Sequence, residues 1–189
     1  KNEIILYKIR ENKKIKYFFV DDFSYKLKEG TAKIIISAKG AKAAEYEFIV
    51  LWKNKPKTLM NPEFAIKLLT IIESEKKIDT LLSTDKKDYF NVLNKYWEKK
   101  NPDKKTAFNE IEYEFYKRAD YAMKNFSTVS NPVGAKSDRG KIYIRYGEPD
   151  EIIREYSDSN SVIEVWKYKQ LKREFVFTDK TGLGNYSLD

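Results

Sequence analysis

The hydrophobic period of the chain changes near Pro56, and this change constrains the fold more than any other feature of the sequence. Before it, apolar or alternating runs separated by polar and glycine-containing turns predict short antiparallel strands. These strands cover residues 4–9, 15–20, 23–28, 31–37 and 45–52. The sequence therefore predicts an N-terminal antiparallel β-sheet or partial sandwich.

After Pro56, apolar residues recur at intervals of three or four, which predicts three amphipathic helices. The first begins at Asn61-Pro62, where Asn serves as the N-cap and Pro takes the first helical position. The second spans about residues 85–100, and the third spans about residues 106–126. The polar segment that follows, residues 127–138, predicts a loop.

The strand period then returns, and it predicts a second antiparallel sheet from residues 141–146, 151–156, 162–168 and 174–178. We expect an α+β protein in which three helices pack on this small C-terminal sheet. The best domain boundary lies at residues 54–58. Residues 1–55 would then form an antiparallel β domain, the end of a sandwich-like region, and residues 56–189 a helical plus antiparallel-sheet domain.

The chain has no Cys and no His, which restricts its possible chemistry. Disulfides, thiolate nucleophiles, Ser-His-Asp catalysis and His-containing zinc motifs are excluded. An enzyme with this sequence would depend on carboxylates, Lys, Tyr or Ser. We predict no catalytic, cofactor-binding or metal-ligating residue and no cofactor, and we favour a non-enzymatic function.

The net charge of +8 is spread along the chain, with Lys and Arg interleaved with Asp and Glu. This pattern is typical of a solvated surface, so we expect no specific nucleic-acid partner. No apolar run approaches the roughly 20 residues that span a bilayer, so no transmembrane segment is expected. Because the chain opens at Lys1 rather than Met, we expect a mature form or an excised fragment.

One segment carries a family signature in degenerate form. It reads Gly134-Ala135-Lys136-Ser137-Asp138, then Arg-Gly, a short apolar run and Tyr-Gly-Glu-Pro-Asp-Glu. This resembles the GWxTD-domain family, whose signature is Gly-Trp-x-Thr-Asp, then Arg-Gly and Tyr-Gly-x-Pro-Asp-Glu. The resemblance covers about residues 55–189. Two positions depart from it, because Ala135 stands where the family has Trp and Ser137 where it has Thr.

The resemblance implies a bacterial cell-envelope protein of Bacteroidetes type, often with a β-sandwich ahead of the signature. From it we expect a non-catalytic protein-binding or assembly module, in the periplasm or outer cell envelope, as a secreted protein or lipoprotein. The expected partner is another envelope protein. The alternative is an envelope enzyme or glycan-binding protein that acts on cell-wall material.

The signature residues are the candidate interaction site. Ser137, Asp138 and Arg139 are expected to order a turn between the loop and the strand predicted at 141–146, because short polar side chains bond nearby backbone N–H groups. Arg118 and Arg145 are expected to fix or present this turn. Alternatively, Asp138 and Arg139 form a recognition surface with Arg145, since a planar guanidinium suits carboxylates.

Short catalytic patterns also occur, and we interpret them as coincidental. The segments 83–86, 157–160 and 180–182 follow the order S-x-x-K, S-D-N and K-T-G of serine β-lactamases, although the middle one carries an inserted Ser. A second S-x-x-K lies at 74–77. The carboxylate pairs at 21–22 and 150–151 show neither EF-hand nor glycosidase spacing.

Overall fold

The structure, a computed structural model, describes residues 7–12, 15–19, 26–37, 40, 42–157 and 161–189. It has the predicted α+β class. Its strands are, in chain order, β1 Tyr7–Asn12, β2 Ile15–Phe19, β3 Gly30–Ile36, β4 Ala44–Val50, β5 Glu151–Tyr156, β6 Val162–Tyr168, β7 Arg173–Asp179 and β8 Ser187–Leu188. Its α-helices are α1 Pro62–Leu68, α2 Glu75–Leu82, α3 Tyr89–Lys100, α4 Glu110–Asn125 and α5 Asp138–Tyr146.

The chain divides into two compact units. The first unit contains residues 1–54 and 101–110, and the second contains residues 55–100 and 111–189. The predicted division into the domains 1–55 and 56–189 stays a prediction.

The first unit contains two antiparallel hairpins rather than one described sheet. In the first, β1 pairs with β2, and in the second, β3 pairs with β4 in a regular register from Gly30 opposite Val50 to Ile36 opposite Ala44. Short connections favour such local pairing. The predicted strand at 23–28 is wrong at residues 26–28, which are not in a strand, and its other residues lie outside the described part.

In the second unit, α1 begins as the sequence predicts. The Asn61 side chain accepts the Phe64 N–H at 3.0 Å, and Pro62 takes the first helical position. The prediction of three helices is nevertheless wrong, because the described residues contain five. Helix α2 was missed because its apolar spacing is diluted by charged residues, and Ile78 is its one buried side chain.

Helices α1, α3 and α4 form an aromatic core within this unit. The Trp97 indole N–H donates to the Tyr116 hydroxyl at 3.2 Å, and that hydroxyl donates to the carbonyl of Ala65 at 3.1 Å. All three residues are at most 1% exposed. The polar atoms of these large rings are thus satisfied inside the core, as burial requires.

The strand predicted at residues 141–146 is wrong, because this segment belongs to helix α5. The Ile-Tyr-Ile alternation favours a strand locally, but the serine cap at Ser137 starts a helix, and Gly140 and Ile144 face inward four residues apart. The helix ends at Gly147, whose φ of +87° is a left-handed conformation that favours glycine.

The C-terminal sheet is antiparallel with strand order β5-β6-β7-β8. The strands predicted at 151–156, 162–168 and 174–178 are confirmed, whereas the two-residue strand β8 was missed. Along β6, alternate residues are buried, namely Glu164, Trp166 and Tyr168. No helix in the described part of the chain is long and apolar enough to cross a membrane.

Candidate binding pocket around Arg139

Helix α5 begins at a serine cap. The Ser137 hydroxyl accepts the Gly140 N–H at 3.0 Å and donates to the carbonyl of Gly134 at 2.7 Å. It therefore ties the preceding 3₁₀ turn, Gly134–Lys136, to the helix. A short polar side chain at this position satisfies one of the free N–H groups of the helix start. Ser137 thus sets the position of Arg139 in the first helical turn.

Two glycines allow the backbone to pack tightly here. A Cβ added to Gly134 would lie 2.3 Å from the carbonyl oxygen of Ala122, and one added to Gly140 would lie 2.0 Å from the carbonyl oxygen of Gly134. Both distances are far below van der Waals contact. Any side chain at Gly134 or Gly140 would collide with the neighbouring backbone, so glycine is required at both positions.

The guanidinium of Arg139 lies between two aromatic rings. Its central carbon is 3.8 Å from the ring centre of Tyr186 and 5.1 Å from that of Phe126, and the residue is 9% exposed. Guanidinium groups are attracted to aromatic faces at such distances. The two rings therefore restrict the orientation of the Arg139 side chain.

A buried carboxylate, Glu164, is shared by two arginines. Its Oε2 accepts a hydrogen bond from Arg154 Nε at 2.6 Å, and its Oε1 lies 3.5 Å from an Arg139 nitrogen. The Trp166 indole N–H also donates to Oε1, at 2.6 Å. These partners offset the cost of burying a residue that is 1% exposed. The bond to Glu164 raises the pKa of Arg154.

Arg139 retains unused hydrogen-bonding capacity. A guanidinium carries five N–H donors. Within the described residues its acceptors are Glu164 at 3.5 Å and the carbonyl of Gly184 at 3.4 Å. Both distances exceed the roughly 2.7–3.2 Å of a good N–H···O bond. Two arginines, Arg139 and Arg154, share the buried Glu164 carboxylate, so Arg139 has no carboxylate of its own.

The turn after β7 positions the segment that carries Tyr186, one of the two rings that contact Arg139. The Asp179 carboxylate accepts the N–H groups of Thr181 and Gly182, each at 3.1 Å, and also that of Gly184. Burial alone raises the pKa of Asp179, but these N–H donors outweigh it and the net effect lowers the pKa. An ionised Asp179 therefore holds the segment that carries Tyr186.

These elements enclose a cavity of about 200 Å³, which we call the Arg139 pocket. Arg139, Phe126 and Tyr186 line it together with a polar group consisting of Thr128, Ser130, Asn131, Ser137, Gly184 and Asn185. The hydroxyls of Thr128 and Ser130 donate to the side-chain oxygen of Asn185. A pocket with an arginine, aromatic walls and hydroxyl and amide groups suits a small polar or anionic group, and a planar carboxylate in particular.

The model of the GWxTD domain matches residues 32–188. The chain belongs to the GWxTD-domain family. The match confirms the resemblance seen in the sequence and extends it toward the N-terminus. A search of curated proteins and a search of solved structures each found no match.

In this GWxTD domain the signature forms a 3₁₀ turn followed by a helix cap, not a turn before a strand. Ala135, at the position of the family Trp, is fully buried. Ser137, at the position of the family Thr, keeps the hydroxyl that caps α5. The hydroxyl therefore explains why Ser and Thr both fit this position.

Asp138 acts locally in the GWxTD domain. One carboxylate oxygen pairs with Lys141 at 3.0 Å, and the other accepts the Leu188 N–H of β8 at 3.2 Å. Burial raises the pKa of Asp138, but the Leu188 N–H and Lys141 outweigh this, so the net effect is a lowered pKa. Asp138 thus links α5 to the edge strand and does not line the Arg139 pocket.

Arg118 and Arg145 lie toward the other end of α5, and neither lines the Arg139 pocket. Arg118 pairs with Glu114 at 2.8 Å and lies 3.5 Å from the carbonyl of Ile144. Arg145 donates to the carbonyl of Ile71. The structure therefore does not bring these two arginines together with Arg139 in one pocket.

Sequence reasoning missed Glu164, Asp179 and Tyr186 as parts of the site. Glu164 had a detectable signal, because it lies in phase with Trp166 and Tyr168 on the inward face of β6. A carboxylate at such a position requires buried partners. Tyr186 carried no comparable signal, because it lies in an irregular segment before β8.

The hydroxyls of the serine-enzyme patterns serve local structure. Ser83 donates to the carbonyl of Thr80 at 2.8 Å, while Lys86 pairs with Glu63 at 3.2 Å. Thr181 donates to Asp179 at 3.0 Å. The segment 157–160 lies mostly outside the described residues. In the described part of the chain, no group of three or more carboxylates could hold a metal ion.

Proposed function

We propose that this chain is a non-catalytic protein-binding or assembly module of a bacterial cell-envelope protein, and that the Arg139 pocket holds a carboxylate of its partner. One observation carries the proposal. Arg139 is fixed between two aromatic rings, has long and incomplete hydrogen bonds to the protein, and lines a small open pocket. A preorganised guanidinium of this kind is suited to recognition because little side-chain entropy remains to be lost.

The chemistry of the pocket favours binding over catalysis. Its Ser137 hydroxyl is engaged at both ends, as acceptor from Gly140 and donor to Gly134. A nucleophile needs a base within hydrogen-bond reach, and Ser137 instead has backbone partners. Tyr186 and Arg139 are typical of binding hot spots, where Tyr and Arg are enriched.

The cellular setting is part of the proposal. We place the protein outside the cytoplasm, in the periplasm or outer envelope of a Bacteroidetes-type bacterium, as a secreted protein or lipoprotein. The proposed partner is another envelope protein. Family membership supports this setting, since similar family members look like envelope proteins.

Crosslinking with mass spectrometry tests the proposal, using the purified chain mixed with solubilised envelope extract. The pocket variant is Ser130→Ala with Asn185→Ala, because both residues are exposed at the pocket and Arg139 keeps its partners. The control is Asn94→Ala on α3, which is exposed and does not line the pocket.

The expected result is crosslinking to one envelope protein that the pocket variant loses and the control keeps. Equal crosslinking by all three proteins would place the interface elsewhere. If none of them captures a specific partner, the binding-module proposal fails and the alternative of glycan binding is tested on isolated cell-wall glycans.

A further inference from the structure

Two exposed apolar side chains flank the Arg139 pocket, one on each of two loops. Val129 is fully exposed, and both of its neighbours in the sequence line the pocket. Leu183 is 75% exposed and directly precedes Gly184, another lining residue. An apolar side chain that remains in water contributes no burial to the fold. Two such side chains beside one pocket form a candidate contact surface for a partner.

The loop that carries Val129 is closed by hydrogen bonds. The Thr128 N–H donates to the carbonyl of Asn131 at 2.9 Å, and the Asn131 N–H donates to the Thr128 hydroxyl at 3.0 Å. The Gly134 N–H donates to the Ser127 hydroxyl at 3.0 Å as well. Val129 therefore lies at the tip of a loop whose two sides are tied together.

The loop that carries Leu183 is fixed by the turn after β7. The Asp179 carboxylate accepts the N–H groups of the residues on either side of Leu183, which are Gly182 at 3.1 Å and Gly184. The backbone is thus held on both sides of this leucine. Because an ordered loop presents the exposed side chain, little conformational entropy is left to lose when a partner contacts it.

Asn185 joins the two loops and adds hydrogen-bond donors to the pocket that it lines. Its side-chain oxygen accepts the hydroxyls of Thr128, at 2.7 Å, and of Ser130. These two bonds fix the orientation of the amide group. Within the described residues, the amide nitrogen of Asn185 makes no hydrogen bond. Its two N–H donors therefore accompany those of Arg139.

The size and polarity of the pocket indicate which part of a partner enters it. Its volume of about 200 Å³ is below the roughly 300–1,000 Å³ of pockets that enclose a whole small molecule, so the end of a larger molecule fits better. In the described part of the chain, the carbonyl of Gly184 accepts only the long 3.4 Å contact from Arg139. An Asp or Glu carboxylate brings acceptors alone, whereas the last residue of a polypeptide brings a carboxylate and an N–H donor. A chain terminus therefore matches both the donors and the acceptor of the pocket.

We infer that the Arg139 pocket binds the C-terminus of a partner polypeptide that ends in apolar residues. The terminal carboxylate accepts hydrogen bonds from Arg139 and Asn185, and the last N–H donates to the carbonyl of Gly184. The apolar side chains of the partner pack on Val129 and Leu183. Capture of a terminal carboxylate is a recurring mode of peptide recognition. This inference rests on the proposed function, because it keeps a carboxylate in the pocket and defines which carboxylate that is.

A peptide with a dye at its N-terminus and a free carboxylate, Gly-Ser-Gly-Leu-Val, tests the inference by fluorescence anisotropy. Three control peptides carry a C-terminal amide, Ser-Ser in place of Leu-Val, or the amidated sequence Gly-Leu-Asp-Val-Gly, whose carboxylate is on a side chain. The protein variant is Val129→Ser with Leu183→Ser. Leu171→Ser is the matched control, because Leu171 is an exposed leucine at the other end of β7 and does not line the pocket.

The wild type and Leu171→Ser are expected to bind the free-carboxylate Leu-Val peptide equally. The amide and the peptide with the internal Asp should bind about tenfold more weakly, because both lack the terminal carboxylate. The Val129→Ser, Leu183→Ser variant should bind the Leu-Val peptide about fivefold or more weakly than the wild type does, because an apolar contact is removed. The Ser-Ser peptide should bind the wild type more weakly for the same reason.

The inference is overturned if the wild type binds no free-carboxylate Leu-Val peptide up to about 1 mM, or if the Val129→Ser, Leu183→Ser variant binds it as tightly as the wild type does. Equal binding of the peptide with the internal Asp also overturns it, while the carboxylate pocket of the proposed function stands. Failure of every peptide, with pocket-dependent crosslinking retained, rejects the C-terminus alone. Failure of both experiments rejects the binding module itself.

Discussion

The two ends of helix α5 use arginine in different ways. At its start, Arg139 faces a buried carboxylate and two aromatic rings and lines a pocket. Toward its end, Arg118 of the neighbouring helix α4 approaches the carbonyl of Ile144, and Arg145 of α5 donates to the carbonyl of Ile71. A guanidinium at a backbone carbonyl stabilises the fold, whereas one with spare donors at a cavity is available to a ligand. Residue type alone therefore does not identify a recognition site.

The largest expected effect comes from the tight backbone at the start of α5. In Gly140→Ala, the new Cβ meets the carbonyl of Gly134 at 2.0 Å, which forces the cap apart. We expect a loss of about 3 kcal/mol or more in the free energy of unfolding, or failure to fold. Urea denaturation measures it, with Lys141→Ala as the control, expected to cost under about 1 kcal/mol. Equal costs would show that the close approach is not required.

The partners of the two arginines give a matched pair of substitutions. Glu164→Gln leaves Arg139 and Arg154 without their buried carboxylate, and it should cost about 3 kcal/mol of unfolding free energy. The Glu114 side chain is 42% exposed, so Glu114→Gln, which removes the partner of Arg118, should cost about 0.5 kcal/mol. Thermal or urea unfolding compares them. Similar losses would contradict the distinction between the two ends of α5.

The cap of α5 gives a smaller effect. Ser137→Ala removes the acceptor of the Gly140 N–H, and it should lower the free energy of unfolding by about 1 kcal/mol. Ser137→Thr restores the family residue and keeps the hydroxyl, so it should be close to neutral. Chemical denaturation of both variants measures the difference. A neutral Ser137→Ala would show that the hydroxyl does not hold the turn.

The smallest effect concerns pH. Because the pKa of Asp138 is lowered in the folded protein, its contribution to stability is present above the ordinary pKa of 3.8. This contribution is lost as the pH falls through the lowered pKa that Asp138 has in the folded protein. The carboxylate is 37% exposed, which limits the loss in Asp138→Asn near neutral pH to about 0.5 kcal/mol. Urea midpoints measured against pH should fall less steeply in the variant at acid pH, and parallel curves would contradict this role.

Elements with strong local signals could be predicted from the sequence. The Asn61 cap and the alternation of β6 are contained within a few neighbouring residues, and α1 and β6 follow from them. Helix α5 was predicted as a strand because its Ile-Tyr-Ile alternation favours a strand locally, whereas the helix depends on the Ser137 cap and on the burial of Gly140 and Ile144.

The site was predicted only in part, for a physical reason. Ser137 and Arg139 were singled out because they belong to one short segment. The environment of Arg139 depends on Glu164, 25 residues away, and on Tyr186 near β8. Such contacts depend on the order of strands in the sheet, which periodicity does not determine.

The most direct test of the Arg139 pocket is a nuclear magnetic resonance titration of the arginine side-chain N–H signals with sodium acetate, with sodium chloride as the control for ionic strength. We expect a saturable shift of the Arg139 signal with acetate, and no comparable shift of the signals of Arg118 and Arg145. If acetate and chloride shift all three signals alike, this pocket is not a carboxylate-binding site. The absence of any shift at Arg139 would contradict that assignment as well.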